Sequence, residues 1–171
     1  MPKPVLGVST QTFQYLDGSN STSAGFDAKF TLSNRTSLGT FTGGVTDFKG
    51  ANAFRVDLKP SIKYDDKGMF SFGSRIRTTV SEESASTQFR ITPVKFTVPI
   101  DSESKLYLDP HYFGKINYKT VEWSNSAGAF LGYERNFGRH FSGLAEIQAY
   151  NLQDFRPKKD TSFNLGISYK W

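Results

Sequence analysis

The stretch Thr161-Ser-Phe-Asn-Leu-Gly-Ile-Ser-Tyr-Lys-Trp171 decides how the rest of the chain is read. In an extended backbone Phe163, Leu165, Ile167, Tyr169 and Trp171 share one side, and Asn164, Gly166, Ser168 and Lys170 share the other. A period of two held over five apolar positions describes a strand with one apolar face and has no helical counterpart.

The same period recurs upstream. Phe26, Ala28, Phe30 and Leu32 alternate with Asp27, Lys29 and Thr31, and Phe54, Val56, Leu58, Ile62 and Tyr64 alternate with Arg55, Asp57, Lys59, Ser61 and Lys63. Phe70, Phe72, Ile76 and Val80 alternate with Ser71, Gly73, Arg75 and Arg77. Leu106, Leu108, Tyr112, Ile116 and Tyr118 alternate with Asp109, His111, Lys115, Asn117 and Lys119. Turn chemistry separates these segments at 33–36, 65–68, 101–104 and 136–139, and longer polar stretches at 17–23, 49–52, 81–87, 122–126 and 153–160.

Long and short connectors are expected to alternate strictly along the chain, dividing it into ten strands near 5–15, 24–33, 37–48, 53–64, 68–80, 88–100, 105–119, 127–136, 140–152 and 161–171. In an up-and-down barrel this puts the long loops at one rim, and the short turns with both termini at the other. Three segments fit less well. Strand one (Val5, Leu6, Val8, Phe13, Tyr15) and strand three (Leu38, Phe41, Val45, Phe48) keep no single parity. In strand six Phe89 and Ile91 are out of phase with Val94, Phe96, Val98 and Ile100, and a β-bulge at Pro93 would restore the phase. If two of these segments are not strands, the barrel has eight.

Composition agrees with strands and turns: aromatics make up 15% of the 171 residues, with 16 Phe and 8 Tyr. No run approaches the length of a membrane-spanning helix, and the mean hydropathy is −0.46. A barrel strand crosses with only about 9–11 residues, alternate ones facing lipid, so a low mean is compatible with a membrane. The absence of Cys removes disulfide and thiolate chemistry. Met1-Pro2-Lys3-Pro4 carries no secretory leader, so export implies a mature form with an added Met.

With its aromatic end and alternate apolar positions, Thr161–Trp171 resembles the closing strand of bacterial outer-membrane β-barrels. The segment Phe130–Phe141 resembles the penultimate hairpins of small opacity-type or OmpA-like barrels. The resemblance is to a class. It implies an all-β, single-domain, antiparallel transmembrane barrel over 1–171 in the bacterial outer membrane, with both termini periplasmic. It also implies Phe163, Leu165, Ile167, Tyr169 and Trp171 as an assembly signal read by the barrel-assembly machinery. Outer-membrane lipid and lipopolysaccharide are the further expected partners, and a monomer the expected state. A soluble barrel with its apolar face inward has the same parity. The connector alternation and the terminal aromatic favour the membrane form.

With the charged faces inward, the lumen carries Lys29, Arg55, Lys59, Lys63, Arg75, Arg77, Lys95, Lys115, Lys119 and Lys170 against Asp27, Asp57, Asp109, Glu134 and Glu146. Charges in so narrow a space must pair, since an isolated ion costs several kcal/mol. Arg55, Lys59, Arg75 and Arg77 meet on one predicted hairpin with Asp57 alone to balance them, so distant acids reach them or an anion binds. With Lys115 they form a candidate anion path, and Asp57, Asp109, Glu134 and Glu146 are its counter-charges. Asp109 and His111 could form a carboxylate–imidazole pair of the hydrolase type, but no nucleophile pattern accompanies them. No catalytic set, metal cluster or cofactor loop is read. Nucleic acid is not an expected partner, because Lys and Arg are spread over all strands. The leading expectation is a structural barrel or a narrow passive channel for small solutes, anions among them. The alternatives are a surface-interaction barrel using its loops, an outer-membrane enzyme and a soluble ligand carrier.

Overall fold

The computed structural model describes residues 4–47 and 49–171, so Phe48 of the third predicted strand lies outside the described residues. Ten strands are present: β1 (Val5–Tyr15), β2 (Asn20–Thr31), β3 (Thr36–Thr46), β4 (Asn52–Lys63), β5 (Phe70–Ser81), β6 (Ala85–Pro99), β7 (Ser104–Asn117), β8 (Glu122–Phe137), β9 (Phe141–Ala149) and β10 (Thr161–Lys170). Each pairs antiparallel with its sequence neighbours, and β10 returns to β1 to close the barrel. Closure satisfies every ladder and leaves no open edge, the condition for strands to sit in hydrocarbon. The chain is thus a ten-stranded, up-and-down barrel, and the eight-stranded alternative is set aside.

The direction of the apolar face is settled by exposure. Phe54, Val56, Leu58, Ile76, Val98, Leu108, Leu131, Leu165 and Ile167 are all exposed on the outer surface. Arg55, Asp57, Thr92, Asp109, His111, Gln148 and Asn164 are buried inside. This is the inverse of a soluble barrel, where the apolar face would fill the interior. Here the apolar belt is left for lipid to cover.

At Pro93 the expected bulge is found. Ser71 pairs with Lys95 and Gly73 with Thr92, so β6 carries one residue more than β5 there. The same shift lies between Ile91 and Phe96 against β7. The Tyr64 hydroxyl donates to the Pro93 carbonyl at 2.8 Å.

The connectors depart from the expected alternation. Connectors 16–19, 47–51, 82–84 and 118–121 are as short as those of the opposite rim, and only 150–160 is long. It carries a 3-10 turn (Leu152–Asp154) and a short helix (Pro157–Asp160). The reason is that polar strand ends resemble loops in residue type. Asn20–Ser23 ladders with β1, and Glu122–Ser126 with β7. Beyond the apolar belt both strand faces are wet, so the period-two signal vanishes while the ladder continues. Lys119, expected in the lumen, lies in connector 118–121. The start of β1 and the end of β10 share the rim opposite 150–160, where the Trp171 amide donates to the Leu6 carbonyl at 3.1 Å.

β1 and β3 explain their irregular parity. Phe13 and Tyr15 pair with the buried Asn164 and Ser162 and so point inward. Phe41 is buried inside, and its neighbour Thr42 faces out beside Phe26. Room for the Phe41 ring comes from Gly25 and Gly43, which face each other across β2 and β3. A Cβ on Gly25 would lie 2.3 Å from the Thr42 carbonyl oxygen and 2.8 Å from the Phe41 ring.

Candidate functional site: a charged lumen

On β4 the alternation brings Arg55, Asp57 and Lys59 to the inner face in succession, and on β5 it brings Arg75 and Arg77. The register sets Asp57 opposite Arg77. Arg77 grips the carboxylate with two hydrogen bonds, Nε to Oδ1 and Nη2 to Oδ2, both 2.8 Å. Such fork-to-carboxylate pairs are among the strongest side-chain bonds. The same carboxylate has Arg55 Nε at 3.5 Å and Lys59 Nζ at 3.9 Å, and Asp57 is 0% exposed. Below them lies Phe41, with the Arg55 guanidinium 4.3 Å and the Lys59 ammonium 5.6 Å from its ring centroid. Cation–π attraction supplements the single acid.

Arg75 stands apart. Its Nη2 donates to Gln88 Oε1 at 2.9 Å, and its Nε is buried without a hydrogen-bond partner. Among the described residues it has no carboxylate within ion-pair distance, and Arg90 faces it directly across β5 and β6. Asp57 serves three cations and the fourth is met by a neutral amide, so no distant acid pairs with Arg75.

Across the lumen, β7, β9 and β10 build a different set. Asp109 accepts from the Thr92 hydroxyl at 2.7 Å and has Arg90 Nη2 at 3.7 Å. Glu146 accepts from the Tyr107 hydroxyl, the Gln148 amide and the Asn164 amide, the last at 2.9 Å. Tyr150 bonds Gln148 in turn, and Lys95 Nζ lies 3.6 Å from the Tyr107 ring centroid. Glu134 pairs with Lys105 at 3.2 Å, and Lys115 is exposed, in register with Gln88 and Ser124. The expected path residues therefore divide: Arg55, Lys59, Arg75 and Arg77 meet, and Lys115 stands at the edge of the lumen.

Asp109 and His111 do meet, with His111 Nδ1 at 3.3 Å from Oδ1 and 2.9 Å from the Asp109 carbonyl oxygen. His111 Nε2 is buried without a hydrogen-bond partner, and the ring packs edge-on against Phe130 at 4.2 Å. No hydroxyl is bonded to it among the described residues, so an orienting pair exists without a nucleophile in place.

Arg90, Gln88 and Thr92 escaped the sequence reading of the lumen. The signal was available: with one bulged residue at Pro93, Arg90 and Lys95 share the inner face although five residues apart. Tyr107, Gln148, Tyr150 and Asn164 were equally accessible by parity, but neutral side chains carry no mark of where they point.

Between Tyr15, Gln88, Phe113, Ser126 and Tyr150, near the rim of connector 150–160, a vestibule of about 400 Å³ opens. Phe163, Leu165, Ile167 and Tyr169 share the outer face of β10, and Trp171 follows its end. Tyr169 lies 4.9 Å from Phe141 and 6.0 Å from Trp171 in an aromatic cluster at the terminal rim.

No protein-family model and no curated protein sequence matches the chain. Solved structures do. The β-domain of the Bordetella autotransporter BrkA is 8% identical, with 98% of each chain aligned and a TM-score of 0.58. An outer-membrane channel from Pseudomonas putida F1 is 9% identical over all of this chain and 97% of that one, with a TM-score of 0.50. A loop-deleted form of OmpT, an outer-membrane protein of Vibrio cholerae, is 16% identical over 89% of this chain, with a TM-score of 0.43. The chain spans about half of that protein's length, 54%. At these identities the likeness shows a fold, that of the outer-membrane β-barrel.

Proposed function

We propose that this barrel is a narrow passive channel of the bacterial outer membrane that favours small anions. Both termini are then periplasmic, with the 150–160 connector outside, and the terminal aromatic strand serves barrel assembly. One observation carries the reading: on the inner faces of β4–β6, Arg55, Lys59, Arg75, Arg77, Arg90 and Lys95 outnumber Asp57 with its neighbours Asp27 on β2 and Asp109 on β7, and among the described residues Arg75 has no carboxylate within ion-pair distance. In a narrow, low-dielectric passage their fields add, so anions enter more readily than cations.

A second reading is favoured by the packed waist. Phe41, Asp57, Thr92, Ser162 and Asn164 are almost wholly buried, as they would be in a structural barrel whose salt-bridged interior fixes the register. Conductance in planar bilayers separates the two. Stepwise currents support the channel, and a silent, correctly folded barrel supports the structural role.

A further inference from the structure

We propose that the vestibule is a binding site for small ring-bearing organic carboxylates, the carboxylate seated on Arg75 and the ring against Tyr150 and Phe113. The proposal deepens the anion-favouring reading of the lumen and rests on it.

Gln88 joins the two parts of the site. It lines the vestibule and, among the described residues, supplies the one acceptor hydrogen-bonded to the Arg75 side chain, at 2.9 Å. A carboxylate entering from the vestibule replaces that neutral amide oxygen with a charged one and can take the guanidinium fork through two parallel bonds, Nη2 and the unpartnered Nε, where the amide oxygen takes Nη2 alone. Arg90, opposite Arg75 in the register, has its own Nε buried and without a hydrogen-bond partner, and Asp109 is 3.7 Å from its Nη2. Of two facing guanidiniums, only that of Arg90 has an acid within ion-pair distance among the described residues, and each strengthens the other's attraction for an anion.

The walls specify the rest of the ligand. Tyr150 lies 5.8 Å from Phe113, ring edge to face, and 6.5 Å from Tyr15. These rings offer apolar faces to a flat body, and the Ser126 side of the cavity offers polar contact; the acid that also lines it, Asp160 of connector 150–160, is engaged by the Arg156 amide at 2.6 Å and the Arg156 Nε at 3.8 Å. A volume of about 400 Å³ suits one small ring rather than a chain of them.

Calorimetric titration of the refolded barrel in detergent with benzoate tests the site, with acetate and benzamide as the ring-free and charge-free probes. Benzoate should bind saturably, acetate about tenfold more weakly or worse, and benzamide not at all. Gln88→Glu gives Arg75 a carboxylate of its own and should weaken benzoate by at least about tenfold. Arg75→Gln should weaken it likewise. If that variant does not fold, Gln88→Glu, which removes no cation, decides. Equal affinity for acetate and benzoate, or benzoate binding unchanged in Gln88→Glu, overturns the proposal. Binding needs no conductance. A silent barrel that binds benzoate removes the channel and keeps the site, and a conducting barrel indifferent to benzoate does the reverse.

Discussion

The two walls of the lumen handle buried charge in opposite ways. On β4–β5 one carboxylate, Asp57, is surrounded by Arg55, Lys59 and Arg77. On β7–β10 Asp109 and Glu134 each have a cation within ion-pair distance, while the carboxylate between them and β10, Glu146, is surrounded by the neutral donors Tyr107, Gln148 and Asn164. The first acid stabilises by balancing cations that would otherwise repel each other. Glu146 is stabilised by hydrogen bonds, and its negative charge has no cation within ion-pair distance among the described residues. Charge surplus is therefore a property of one wall, and the same substitution should act differently on each.

Asp57→Asn should have the largest effect, because it strands three cations at once. Removing one partner of a buried ion pair costs roughly 3–5 kcal/mol, and urea unfolding in lipid vesicles measures it. Adding Arg77→Gln should recover part of that loss. A pair of variants that destabilise additively would show that Asp57 does not balance this wall.

One residue along the strand, Leu58 faces lipid, so Leu58→Arg tests which side of β4 is which. It should cost roughly 2–4 kcal/mol near the bilayer midplane in the same assay. A tolerated arginine there would exchange inside and outside and dissolve the two-wall description.

Glu146→Gln should cost only about 1 kcal/mol, since the amide keeps an acceptor for donors that carry no charge. A loss as large as that of Asp57→Asn would mean the second wall also depends on ionic balance.

The smallest effects belong to the turns, where charge meets water. The Phe70 and Met69 amides hold the Asp65 carboxyl below the usual carboxylate range, at 2.8 and 3.1 Å. The Ser104 hydroxyl, with the Glu103 and Ser104 amides, does the same for Asp101. A carboxyl depressed on folding stabilises above its unfolded pKa of about 3.9 and loses that contribution as pH falls through the lower folded value. Stability should thus fall slightly below about pH 4, and Asp65→Asn or Asp101→Asn should each flatten the slope. Carboxyl chemical shifts titrating at ordinary values would contradict the turn bonds.

Much of this contrast was legible in the sequence wherever large apolar residues mark the outer face. On β4, β5, β7 and β10 they place Arg55, Asp57, Arg77 and Asp109 inside directly. On β1 and β3 the outer face is partly threonine (Thr10, Thr12, Thr40, Thr42) while Phe13, Tyr15 and Phe41 turn inward, so hydrophobicity there points the wrong way. The connector lengths misled for a related reason: ladder hydrogen bonds continue where side-chain alternation stops. The neutral wall was invisible because Gln148 and Asn164 acquire meaning only through the cross-strand register that brings both to Glu146.

If the cationic wall sets what passes, reversal potential in a salt gradient reads it out. Wild-type channels should show anion preference, and Arg75→Glu with Arg77→Glu should abolish or reverse it. Cation selectivity in the wild type, or a preference unchanged by the two substitutions, would contradict the account.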